Sequence, residues 1–266
     1  MSINYENASD DFFLLSSEQR LSIVFKLLSK KSKISVMAKE LGATVQEVHR
    51  NFERLAKSDL IVKDSDGNYS LTTYGKTICS QVPSFVFVSL NKKYFKTHDF
   101  GDIPDKFVHR IGELLVGQHV KGFTKVLGTW NDICKNAEQY IYGILFEEPL
   151  ELIEPIVKKA EKGVQINSIF SESTIVPTGR KHMIDKLGVK KLVENGSIER
   201  KMKNGITTGV ILNEKEACLM FSTISGEADI GEMFYSSDTH FHEWCLDYFR
   251  YCWYGSSTFQ ESKLKE

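Results

Sequence analysis

Between residues 34 and 71 the apolar positions recur first at three- and four-residue spacing and then in short β-prone runs, with a turn residue at each change. Ile34, Val36, Met37, Ala38 and Leu41 predict a short amphipathic helix, and Gly42 follows where the chain needs positive φ to turn. Thr44 is placed to cap a second helix, in which Val45, Val48, Phe52 and Leu55 form the buried stripe. That stripe turns Gln46, Glu47, His49, Arg50 and Arg54 outward. Next come Ile61-Val62-Lys63, the turn cluster Asp64 to Asn68 and the return run Tyr69-Ser70-Leu71, the signature of a hairpin. Upstream, Leu21, Val24, Phe25 and Leu28 place one apolar face on a helix over 18–28, which completes a three-helix core. The small Ala38, four residues before Gly42, permits close helix crossing.

Beyond residue 71 the texture changes twice. A helix is expected from Thr72 or Thr73 toward Thr97, with Pro83 kinking or interrupting it by removing a hydrogen bond. Its Ile78, Val82, Phe85, Val86, Phe87, Val88 and Leu90 exceed what a linker needs. They pack either on the chain's own second domain or on a second copy, and the reading favours a homodimer. Residues 98–105, with Gly101 and Pro104, form the expected linker, so domains are expected at 1–97 and 98–266. Helices are predicted over 106–115 and 123–137. A strand over 140–146, a helix over 149–162 and a strand over 164–170 follow, a unit that suits parallel neighbours. A helix over 181–194, β runs at 198–202, 207–212, 217–222 and 232–235, and an aromatic helix over 239–254 complete the chain. The expected class is α+β: an N-terminal winged helix-turn-helix joined by a linker helix to a mixed α/β sandwich domain.

Charge sharpens the first domain. Over all 266 residues the net charge is -1, which argues against a protein that coats nucleic acid without selectivity. Between residues 20 and 63, however, ten Lys and Arg face four Asp and Glu. A local cationic module on a neutral chain suits one domain on DNA and one off it. The five cysteines, Cys79, Cys134, Cys218, Cys245 and Cys252, are scattered without a CxxC pair, which fits a reduced cytoplasmic interior. Residues 1–11 are polar and acidic, and no run has signal-peptide or membrane-span character, so no membrane partner is expected.

The order of a winged helix and a kinked linker helix, then EQYIYGILFEEPLELIEPIVKKAEKGVQINSIF, TTGVILNEKEACLMFSTISGEADIGEMF and SSDTHFHEWCLDYFRYCW, resembles archaeal winged-helix transcriptional regulators of the methanogenesis-regulator (Fil-type) family. The resemblance spans nearly the whole chain. Its most specific piece is the close: G-V-x-L-N-E-K-E-A, an acidic Gly-Glu-x-Asp segment, and Trp244, Asp247 and Phe249 on the last helix. More distantly the second domain is similar to effector domains of sugar-responsive archaeal regulators, which are related to half of a phospholipase D unit. The resemblance implies DNA-binding transcription regulation with a sensory domain.

That distant relation makes a hydrolase the alternative reading, since its chemistry needs a histidine nucleophile, a lysine two residues on and a later acid. His119 and Lys121 supply the first two. The residue five beyond the lysine is Val126, so the acid is missing, and the pair reads as a solvated basic helix end. His240, His242 and Cys245 after Asp238 hold no complete metal set, because residues two apart on a helix point about 200° apart. The series Phe241, Trp244, Tyr248, Phe249, Tyr251, Trp253 and Tyr254 reads as core. No catalytic residue, metal or cofactor is expected.

The expected partners are double-stranded DNA, a second copy of the chain and a small-molecule effector. Gln46, His49 and Arg50, with Glu47 on the same outer face, are the candidates for base edges. Thr44, Arg54, Lys57 and the wing's Lys63 are those for phosphate. An effector is expected beyond the carboxyl ends of strands 140–146 and 164–170, near Glu147, Ser171 and Glu172, with Arg180 anchoring an anion. A protein-interaction adaptor remains the third alternative.

Overall fold

A computed structural model describes residues 5–264 of the chain. The protein is α+β and divides into two compact units, Met1–Pro83 and Ser84–Glu266. This division falls ahead of the expected boundary at residue 97.

The first unit contains α1 (Glu6–Leu15), α2 (Glu18–Ser29), α3 (Ile34–Leu41), α4 (Val45–Lys57), β1 (Ile61–Lys63) and β2 (Tyr69–Leu71). α5 (Thr73–Leu90) begins in it and carries the chain into the second. Its core joins Ile23, Val24 and Leu27 of α2, Met37 and Ala38 of α3, and Val48, Phe52 and Leu55 of α4 to Leu60, Ile61 and Leu71. Gly42 closes α3 at φ 61, and its two hydrogen bonds to Ala38 and Lys39 carbonyls end the helix. The hairpin is antiparallel, with Ile61 opposite Leu71 and Lys63 opposite Tyr69.

Three expectations for this unit change. α2 is rotated, so that Ile23, Val24 and Leu27 are buried and Leu28 is exposed, because Arg20 is drawn inward to donate to the Leu14 and Phe13 carbonyls at the end of α1. α1 itself was hidden by its acidic composition; its Leu14 and Leu15 reach the core. Val45 is 55% exposed although its spacing matches the stripe, because it sits on the first turn of α4, ahead of the first core contact at Val48. Val36 is exposed likewise.

α5 absorbs Pro83 without interruption. Ile78, Cys79 and Val82 pack in the first unit, and Phe87 and Val88 in the second. Phe85 and Leu90 stay exposed.

The second unit runs β3 (His98–Asp99), α6 (Asp105–Val108), β4 (Gln118–Lys121), α7 (Phe123–Asn136), β5 (Tyr140–Glu147), α8 (Leu150–Glu161), β6 (Gln165–Ile175), α9 (Arg180–Lys186) and α10 (Val189–Glu194). It continues with β7 (Ile198–Lys203), β8 (Gly209–Leu212), β9 (Ala217–Met220), β10 (Ser222–Thr223), β11 (Glu232–Ser236), α11 (Thr239–Tyr254) and β12 (Ser257–Thr258). Eight strands form one mixed sheet in the order β12-β7-β6-β5-β8-β9-β11-β4. β5, β6 and β7 are parallel neighbours, with Ile141 opposite Ile166 and Ile166 opposite Ile198. β8, β9 and β11 continue antiparallel from β5.

Alternation along the central strands sets the layers. Ile144, Val210, Leu212 and Leu219 face α11, whose Phe241, Trp244, Tyr248 and Phe249 are fully buried. Ile211, Cys218 and Met220 face the other way, toward α7. The aromatic helix is thus mostly core, as its spacing predicts, and Trp244 Nε1 donates to the Phe107 carbonyl at 3.1 Å. Residues 106–115 form no single helix: α6 ends at Val108 and a 3-10 turn covers Ile111–Leu114. The helix expected over 181–194 splits at Gly188, which takes φ 66 and starts α10.

Candidate nucleic-acid interface

α4 starts with a reciprocal cap. Glu47 N–H donates to Thr44 Oγ1 at 3.2 Å, while Thr44 N–H and Oγ1–H donate to Glu47 Oε2 at 3.0 and 2.8 Å. The Thr44 hydroxyl holds the Glu47 carboxyl below its ordinary pKa. The acid expected among the base readers is therefore engaged in the cap.

The rest of the polar face is open. Gln46, His49, Arg50, Arg54 and Lys57 are exposed along α4 while Val48, Phe52 and Leu55 anchor its opposite face. His49 lies 3.8 Å from Glu53. Elsewhere in the unit Lys26 and Lys30 share Glu40, and Lys31 takes Asp64. Arg50, Arg54, Lys57 and Lys63 form no ion pair among the described residues, so their charge is available to an anionic partner.

Asp64 organises the hairpin tip. Its Oδ1 accepts from the Asp66 and Asn68 backbone N–H groups at 3.0 and 2.8 Å, and Lys31 donates to Oδ2 at 3.0 Å. The Asn68 amide and the Lys31 ammonium pull its pKa down to about 2. Lys63 lies 5.8 Å from the centre of the Tyr69 ring.

In the second unit the effector candidates converge in part. Arg180 is 2% exposed and bonds the Glu148 and Glu261 carboxylates. Glu147, Glu148, Arg180 and Arg200 are the charged residues in the lining of a mostly apolar cavity beside α8. Ser171 and Glu172 do not lie beyond a strand end, as expected, because β6 continues to Ile175; Ser171 is buried and Glu172 accepts from Lys263 at 2.6 Å. Arg200, Glu148 and Glu261 escaped the sequence reading. Their assembly depends on the parallel pairing of β6 with β7 and on the return of the C-terminal segment, which no local pattern announces.

The pair His119 and Lys121 lies on edge strand β4, not at a helix end. Pairing with β11 supplies an acid that local spacing lacks: Glu232 Oε2 is 2.8 Å from His119 Nε2 and 3.0 Å from Lys121 Nζ. That imidazole nitrogen is sealed from solvent and off the line a hydrogen bond needs, and the ring stacks on Phe234 at 4.7 Å. Burial first, then Lys121, pushes the His119 pKa below its ordinary value.

Asp238 caps α11 through the His240 and Phe241 N–H groups, and His242 Nε2 donates to the Asn213 carbonyl at 2.6 Å. Among the described residues no group of three or more His, Cys, Asp or Glu is placed to hold a metal ion. No helix among them is long and apolar enough to cross a membrane.

No family model and no curated protein matches the chain. Among solved structures it is similar to TrmBL2, an archaeal chromatin protein, at 10% identity and TM-score 0.42 over 92% of this chain and 97% of that one. NucT from Helicobacter pylori is similar at 12% identity and TM-score 0.42, over 54% of this chain and 98% of that one. The phospholipase D family member Nuc from Salmonella typhimurium stands at 14% and 0.38, over 55% and 99%.

Proposed function

We propose that the chain is a sequence-specific DNA-binding transcriptional regulator, with a winged helix-turn-helix in its first unit and a small-molecule sensor in its second. The observation that carries this reading is the open polar face of α4. Its Arg50, Arg54 and Lys57 are exposed and unpaired among the described residues, on a helix whose other face is anchored in the core. A helix of this length enters a major groove, and its outer side chains then meet base edges. Gln46, His49 and Arg50 occupy the first turns and read bases; Thr44, Arg54, Lys57 and Lys63 meet phosphate and set the register.

Cation distribution supports the same division. Lys26, Lys30 and Lys31 are satisfied within the unit, whereas the α4 cations are left for a partner. Phe85 and Leu90 of α5, at 74% and 73% exposure, are the apolar surface for a twofold partner, which would present two recognition helices to two half-sites. The five cysteines are reduced and buried, in keeping with a cytoplasmic protein that works on DNA. No catalytic role is assigned to the second unit. The likeness in sequence to the methanogenesis-regulator family is in keeping with this function.

Selection of bound fragments from random duplex DNA tests the proposal. An enriched, twofold-symmetric sequence is expected. Failure to enrich any sequence, with salt-independent retention of a protein partner, would overturn it in favour of an adaptor.

A further inference from the structure

We propose that the second unit binds a short-chain aliphatic carboxylate at Arg180 and Arg200, a site that the chain's own Glu261 carboxylate fills in the absence of ligand. This deepens the sensor reading above and rests on it for its regulatory meaning, but not for the binding itself.

The site has an apolar body and a cationic head. A cavity of about 70 Å³ lies between α8 and the sheet, walled by Ile153 and Ile156 of α8, Ile141 and Leu145 of β5, and Ile166 and Phe170 of β6. Charge enters its lining only through Glu147, Glu148, Arg180 and Arg200. A ligand that fills it must join a small apolar tail to a charged group.

Arg200 sets the sign of that group. Its Nε is buried without a hydrogen-bond partner among the described residues, its Nη1 is 3.6 Å from Glu261, and its guanidinium lies 4.3 Å from the centre of the Phe259 ring. Guanidinium stays charged when buried, so a sealed donor without an acceptor is a standing cost that a bidentate carboxylate removes. Arg180, beside it, is buried more deeply and already bonds two carboxylates. Glu148 and Glu261 answer Arg180, so the acceptor still missing is the one for Arg200 Nε, and a carboxylate supplies it.

Glu261 is the internal stand-in. It touches both guanidiniums yet is 50% exposed, on a single 3-10 turn, Glu261–Lys263. The segment is held by β12 pairing with β7, by Phe259 packed at 5.1 Å on Phe170, and by Lys263 on Glu172. Replacing Glu261 with a ligand carboxylate keeps the same charge chemistry and releases a side chain that is already half in water. Tail length follows from volume. At about 70 Å³ the cavity is roughly half the size of one that holds benzene, which suits a short tail such as that of propionate or butyrate better than a long one.

Thermal shift and calorimetric titration of the full chain, at constant ionic strength, test the proposal with sodium acetate, propionate, butyrate and octanoate, with inorganic phosphate and propylammonium as controls. A saturable rise in Tm with propionate or butyrate is expected, together with weaker binding of octanoate and none of propylammonium. Arg200→Lys removes Nε from its place and should weaken binding about tenfold, the weight of one charge-assisted hydrogen bond. Glu261→Gln, which keeps a side-chain oxygen for Arg180 and whose Tm without ligand reports any loss of stability, should tighten it by a similar factor. No saturable shift with any carboxylate overturns the site; equal affinity in Glu261→Gln overturns the competition; phosphate binding as tightly as butyrate overturns the ligand class. Because no DNA is present, failure of the DNA-binding reading leaves this result intact. Carboxylate binding that does not alter DNA affinity upholds the site and overturns the sensor reading alone.

Discussion

Thr44 and Glu47 bind each other at the start of α4, the threonine hydroxyl accepting from the Glu47 amide at 3.2 Å and donating to the Glu47 carboxylate at 2.8 Å. One pair thus satisfies the Thr44 and Glu47 amides at the start of the helix that carries the candidate base readers and fixes where its first turn begins. Thr44→Ala should cost about 0.5–2 kcal/mol in the first unit. Hydrogen exchange at the first α4 amides should rise accordingly. Unchanged protection there would show that tertiary packing alone holds the helix start.

Asp64 makes the hairpin acid-sensitive. Its pKa stands at about 2, below the ordinary 3.8, because the Asn68 amide and Lys31 stabilise the carboxylate. A depressed carboxylate adds stability that is fully present above its unfolded-state value and is lost as pH falls through the folded one. The hairpin should therefore loosen between about pH 4 and pH 2, and Asp64→Ala should abolish that dependence. Carboxyl NMR titration reads the midpoint directly; a midpoint near 4 would contradict the geometry.

Arg50 and Lys57 should separate on the selected DNA site. Arg50→Ala is expected to lose about 1–3 kcal/mol and to relax preference at one base position. Lys57→Ala should weaken all sequences alike and lower the salt slope by about one. Titration at several salt concentrations distinguishes them, and identical behaviour of the two variants would place Arg50 on phosphate.

Two glycines predict opposite signs. A Cβ on Gly75 would stand 2.0 Å from the carbonyl oxygen of Leu60, the residue just before β1, whereas one on Gly128, exposed on α7, meets nothing within 4 Å. Gly75→Ala should destabilise by about 1–3 kcal/mol or more. Gly128→Ala should stabilise by up to about 1 kcal/mol, the helix propensity difference. Urea denaturation followed by circular dichroism measures both.

The cysteines should be silent in the folded protein. Burial pushes Cys134 and Cys218 up to about 12, and all five thiols are buried. Alkylation followed by mass spectrometry should label none at neutral pH until denaturant is added. Rapid labelling of any one would show local opening around it.

The sequence by itself determined what depends on neighbours within a few residues. The α4 stripe, the Thr44 cap, the Asp64 to Asn68 turn, the parallel β5-α8-β6 unit and the bounds of α11 all follow from side-chain periodicity and turn chemistry. The exposed readers of α4 were legible for the same reason, since a helix that buries one face must show the other. Only the tertiary structure decided what depends on partners far along the chain. Arg20 turning inward rotated α2, strand pairing placed Glu232 against His119, and the returning C-terminal segment brought Glu261 to Arg180 and Arg200. Such contacts come from which strand pairs with which and from whether a buried charge finds its counter-ion, and hydrophobic spacing carries no record of either.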